Sequence, residues 1–98
     1  MTMKPDAIID VRFKTTSEGG RRTPIKGDSY ACPLFIDGEG FDCRILLNKE
    51  LQLGQNYQLP VKFLNRDLVI SKLSRGRRFT LWEGKDVASG RVLEVLPK

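Results

Sequence analysis

Histidine is absent from the 98 residues. That zero excludes Ser-His-Asp and Cys-His nucleophilic pairs, HExxH metalloprotease sites and every zinc site that needs an imidazole. Cysteine is scarce, and the only two, Cys32 and Cys43, fall short of a four-thiolate zinc site. The first ten residues carry Lys4, Asp6 and Asp10 among their apolar positions, so they hold no signal-peptide core. Without one, both thiols are expected to be reduced. No run approaches the ~18 apolar residues of a membrane span. A soluble, cytoplasmic chain with no membrane partner is the expectation. Apolar residues nowhere recur in a sustained i, i+3, i+4, i+7 pattern, so helix is not expected as a main element.

What is present is one domain's worth of chain, since a second core would leave each half too short to fold alone. Residues 1–98 are read as a single domain with its core over 9–96 and residues 1–7 as a flexible tail. Hydrophobic residues make up 40% and charged residues 30%, the balance of a globular protein. Seventeen Lys and Arg against twelve Asp and Glu give a net charge of +5, which favours anionic partners.

The dominant period is two. Ile9, Val11 and Phe13 alternate with Asp10, Arg12 and Lys14, the pattern of a half-buried strand. Residues 15–29 show no period and are rich in Gly, Thr and Ser, so they read as a long loop. Tyr30, Cys32, Leu34 and Ile36 alternate up to Asp37-Gly38-Glu39-Gly40, and Phe41, Cys43, Ile45 and Leu47 alternate away from it. That is a hairpin with a Gly-rich connection. After a polar stretch over 48–55, Tyr57, Leu59, Val61 and Phe63 mark a further strand, in which Pro60 points to an edge or a bulge. The short apolar run Leu68-Val69-Ile70 precedes a basic stretch over 72–78. A second hairpin follows, with Phe79-Thr80-Leu81-Trp82 leading into Glu83-Gly84-Lys85-Asp86 and a return strand over 87–96. In that return strand Gly90 either bends the chain or makes room for a neighbouring backbone. About six antiparallel strands, each with one apolar parity, can hide that parity by stacking as a sandwich or closing into a barrel. The barrel is expected, because closure also removes exposed edges.

Two separated strings then carry a resemblance. Glu18-Gly19-Gly20-Arg21-Arg22-Thr23-Pro24-Ile25 resembles the paired glycines, arginine and Thr-Pro of the C-terminal domain of elongation factor Tu. Arg78-Phe79-Thr80-Leu81-Trp82-Glu83-Gly84-Lys85-Asp86-Val87-Ala88-Ser89-Gly90-Arg91-Val92 is similar to that domain's closing hairpin. Leu53-Gly54-Gln55-Asn56 lies between them like the family's Pro-Gly-Asp turn. The resemblance implies a six-stranded antiparallel β-barrel that, in the family, helps hold tRNA and packs on a GTPase domain. It implies contacts to RNA from the Glu83-Gly84 turn and from the loop over 19–24. The sequence departs from the family at Arg22, where histidine is usual, and over 28–35, which lacks the family's Pro-Gln-Phe string. It contains no phosphate-binding P-loop string either, so no nucleotide is expected to be bound by this chain alone.

The residues offer several candidate sites. Arg21, Arg22 and Lys26 form one acid-free basic cluster, and Lys72, Arg75, Arg77 and Arg78 form another. They are either a phosphate-binding surface or scattered solvated charge. The loop over 19–26 and the segment over 75–78 are expected on one surface. Trp82 and Phe35 leave the apolar parity of their strands, so they either stack on bases or cover a barrel end or a protein partner. Cys32 and Cys43 are expected to be a buried pair of small apolar side chains rather than a redox switch. Glu18, Glu83 and Asp86 all fall in turns, and a filled barrel offers little cleft, so neither enzymatic activity nor a cofactor is expected. The expected function is a binding module for tRNA-like RNA or a translation-related protein. Docking of a protein without RNA is the alternative.

Overall fold

The computed structural model describes residues 4–97. Six strands form in chain order: β1 (Ala7–Phe13), β2 (Ser29–Ile36), β3 (Glu39–Leu46), β4 (Asn56–Phe63), β5 (Arg78–Trp82) and β6 (Asp86–Val95). They close into one barrel in the order β1-β4-β3-β2-β5-β6, and every neighbouring pair is antiparallel. The period-two residues fill its interior. Ala7, Ile9, Val11 and Phe13 of β1 are fully buried. Leu34 and Ile36 of β2, Ile45 of β3, Val61 of β4 and Leu81 of β5 are buried equally well. Each of these side chains larger than alanine contributes roughly 1.5–3 kcal/mol on leaving water.

The ends are closed by residues from the connections. The loop between β1 and β2 contains a 3-10 turn, Thr16–Glu18, whose N-terminus is closed by a reciprocal capping box between Thr15 and Glu18. Farther along, Ile25 and Leu51 exchange two backbone hydrogen bonds of 3.0 and 2.9 Å and bury both side chains over one end of the barrel. At the opposite end the run Leu68-Val69-Ile70 folds as a helical turn, α1 (Arg66–Val69), followed by a 3-10 turn. Val69 and Leu73 turn inward there, while Leu64 and Leu68 stay 75% and 65% exposed.

The barrel also begins earlier than the alternation suggests. Residues 1–3 of the expected tail lie outside the described residues, but Asp6 and Ala7 are buried. They belong to the barrel rather than to a tail. Asp6 accepts hydrogen bonds from the Phe63 N–H at 2.8 Å, Arg66 at 2.9 Å and Lys62 at 3.4 Å. Burial alone would raise its carboxyl pKa. The Phe63 amide and the two cations outweigh that and hold it below the usual carboxylate range.

The expected edge or bulge at Pro60 is not found: β4 has a neighbour on each side in the closed barrel, and Pro60 stands in unbroken register opposite Ile8 of β1. It is tolerated because it lies just beyond the β3–β4 ladder, which covers only Val61–Phe63 of β4. Gly90 makes room for backbone, since a Cβ there would lie 2.0 Å from the Asp10 carbonyl oxygen. Among the described residues no helix is long and apolar enough to cross a membrane.

Candidate functional site

Strands that alternate in direction put successive connections at alternate ends of the barrel. The connection after β1 and the turn after β5 therefore share one end. Arg21 and Glu83 meet there in a two-pronged ion pair, with one guanidinium nitrogen 2.7 and 2.5 Å from the two carboxylate oxygens. Arg21 also donates to the Thr23 carbonyl at 3.3 Å. Its guanidinium carbon sits 5.6 Å from the centre of the Tyr30 ring, which itself packs edge-on against Phe13. The two strings that carry the resemblance are thus in contact. Glu83 occupies Arg21, while Arg22, Lys26 and Gly84 are exposed at this end alongside Glu18, Asp28, Lys49, Glu50 and Lys85.

The second basic cluster is at the other end. Lys72 pairs with Glu39 at 3.4 Å and Arg77 with Asp37 at 3.1 Å. The expectation that the segments over 19–26 and 75–78 share a surface is overturned by the topology. β5 runs between the two ends and spans about 13 Å from Arg78 to Trp82 at ~3.3 Å per residue. Among the described residues, Arg22, Lys26, Arg75 and Arg78 make no ion pair.

Charge does converge on the outer face of β5 and β6. Arg78 stands directly opposite Arg91, and beside them Thr80 stands opposite Ser89. Arg91 also shares a small cleft with Arg75 and Gly76. The nearest carboxylate to Arg91 is Asp10, 3.9 Å away, and Asp10 already accepts a hydrogen bond from Asn56 at 3.3 Å. Among the described residues, Asp10 is therefore the one carboxylate within ion-pair distance of these three guanidiniums, and it is only loosely engaged. Like charges placed opposite each other on a sheet cost about 0.2–1 kcal/mol.

Next to the arginines lies an open groove of ≈ 590 Å³, lined among others by Phe35, Arg78, Thr80, Trp82, Asp86 and Ser89. Trp82 is 43% exposed, and its ring centre is 6.3 Å from that of Phe35 at a 56° tilt. Phe35 lies over Gly40, its partner on β3. A Cβ at Gly40 would come within 2.9 Å of the Phe35 ring, so the glycine sets how low that ring rests. Both aromatics face outward, as their parity indicates.

Arg91 is the residue the sequence reading misses. A turn over 83–85 closing on the pair Trp82 and Asp86 would place Gly90 opposite Arg78. The register shift after Leu81 moves the pairing by one residue and brings Arg91 there instead. Val87 and Ala88, adjacent and both buried, are its only trace in the pattern.

The cysteines stand directly opposite each other on β2 and β3, buried and unbridged. A hydrogen bond to Cys32, followed by burial, pushes the Cys43 thiol far above its ordinary pKa. Such a group is a poor nucleophile. Compared with known proteins, the chain matches no family model and no curated sequence.

Proposed function

We propose that the chain is a non-catalytic binding module that holds RNA through guanidinium–phosphate contacts. The observation that carries this reading is Arg78 opposite Arg91, with Arg75 beside them and only Asp10 near enough to answer their charge. A phosphate between two guanidiniums turns their mutual repulsion into attraction and releases counterions. The strands fix where the cations stand, so contacts of this kind position an RNA backbone without reading its bases. Arg22, Lys26 and Gly84, exposed at the far end, are secondary contacts. The resemblance of the loop over 19–24 and of the closing hairpin to the C-terminal domain of elongation factor Tu supports tRNA-like RNA and the cytoplasmic translation apparatus as the setting.

The test is a titration with tRNA and with an unrelated RNA across a salt series. Affinity is expected to fall with a log–log slope of about −2 for single strands and nearer −3 for helical RNA if three arginines each neutralise one phosphate. Arg78→Glu and Arg91→Glu are each expected to reduce binding strongly, and Arg21→Glu only weakly. Absence of RNA binding at low salt refutes the reading.

A second reading is a protein-docking module without RNA. It is favoured by Leu64 and Leu68, exposed on one turn at the Asp6 end. A protein recovered by the wild type and lost with Leu64→Ser and Leu68→Ser, together with no RNA binding, supports it.

A further inference from the structure

We infer that the groove on the outer face of β2, β5 and β6 takes single-stranded RNA, with one base laid on the Trp82–Phe35 pair and a phosphate farther along the strand held by Arg78 and Arg91. The inference rests on the RNA-binding reading above and adds the strandedness of the ligand and the way it lies.

Exposure of Trp82 is the starting point. The interior beneath β5 is filled by Phe79 and Leu81, which are 3% and 0% exposed, so Trp82 is not needed to cover the core. Its tilt against Phe35 leaves the pair as an apolar ledge beside the groove. A half-exposed indole backed by a second ring suits the face of a nucleobase, which lies flat on one ring and meets the other at an angle, and such stacking is indifferent to base identity.

The groove also has a direction. Arg78 lines its basic end, with Arg91 directly opposite on β6 just beyond the groove, Trp82 and the Asp86 carboxylate line its aromatic end, and Thr80 and Ser89 lie between. A phosphate is attracted to the first end and repelled from the second, so the base and not the backbone lies on Trp82. The other carboxylate on the groove wall, Asp37, is already paired with Arg77 at 3.1 Å. A duplex keeps its base faces stacked inside. It can reach the arginines but not the ledge.

The experiment compares three RNAs of equal length at one ionic strength: an unstructured single strand, a duplex, and a single strand with abasic positions. The chain's single tryptophan serves as reporter. The single strand is expected to bind roughly tenfold or more tighter than the duplex and to quench Trp82 emission, as one stacked base implies. The abasic strand should bind no better than the duplex. Trp82→Ala should bring the single strand down to the duplex level, Trp82→Phe should keep most of the preference, and Arg78→Glu should weaken all three RNAs. Equal binding of the three RNAs without quenching overturns this inference and leaves the phosphate-binding reading standing. No binding of any RNA at low salt overturns both.

Discussion

Asp6 and Arg66, 60 positions apart, form a 2.9 Å ion pair at the end of the barrel where both chain ends meet it. Arg66 passes the connection on by donating to the Leu96 carbonyl at 3.1 Å, and the Leu96 N–H returns to the Asp6 carbonyl at 2.9 Å. One carboxylate thus fastens β1, the turn after β4 and the end of β6. Asp6→Asn keeps the shape and removes the charge, leaving Arg66 largely buried without its counterion. The expected loss is about 2–4 kcal/mol, read from urea unfolding at neutral pH. The lowered pKa of Asp6 sets the pH dependence. Its contribution is complete above the ordinary Asp value of ~3.9 and is lost as pH falls through the lower folded value. Wild-type stability should therefore decline below about pH 4, and Asp6→Asn should flatten that decline. Glu18, also held below its ordinary range by the Thr15 amide and then by Arg12, acts in the same direction in both proteins and cancels from the comparison.

Gly90→Ala and Gly40→Ala should behave differently, although both place a methyl group in occupied space. At Gly90 the obstacle is the Asp10 backbone, which can move only by parting β1 from β6. A loss of about 2–3 kcal/mol is expected in thermal or urea unfolding. At Gly40 the obstacle is the Phe35 ring, which can swing away. Here stability should change by less than about 1 kcal/mol, while Trp82 fluorescence shifts because its neighbour has moved.

Arg78→Thr should make the barrel slightly more stable, by about 0.5 kcal/mol, because it removes one of two like charges in direct register. RNA affinity should fall in the same variant. A substitution that improves folding and impairs binding is what a residue kept for its ligand produces. If Arg78→Thr instead lowers stability and leaves binding unchanged, the arginine serves the fold.

The Arg21–Glu83 pair is partly shielded, with side chains 24% and 33% exposed. A double-mutant cycle with Arg21→Ala and Glu83→Ala should give a coupling of about 1 kcal/mol that shrinks at high salt. Coupling that is absent at low salt would mean the loop and the turn are held together by the backbone alone.

The strands were legible because a barrel interior selects every second residue. Ile9, Val11 and Phe13, or Leu59, Val61 and Phe63, declare their strands without help from elsewhere in the chain. The separation of the two basic clusters was legible too, since connections after the first and fourth alternating strands must lie at opposite ends. Grouping by charge concealed it. Arg91 was not legible, because one extra residue in a strand leaves almost no mark on composition yet reassigns every partner beyond it. Asp6 was hidden for another reason. A lone carboxylate near a chain end reads as solvated, and only its distant partners, Phe63 and Arg66, make it part of the core.

Ala7 and Val95 are direct partners, so the polypeptide enters and leaves the barrel side by side. The Gly84 turn lies at the far pole. Joining the two ends through a short linker and opening the chain at residues 83–85 would give a circular permutant with the same six-strand order. Such a molecule would keep the arginine face while Glu83 stood at a new terminus. The same adjacency would let the whole unit be spliced into a surface loop of another protein.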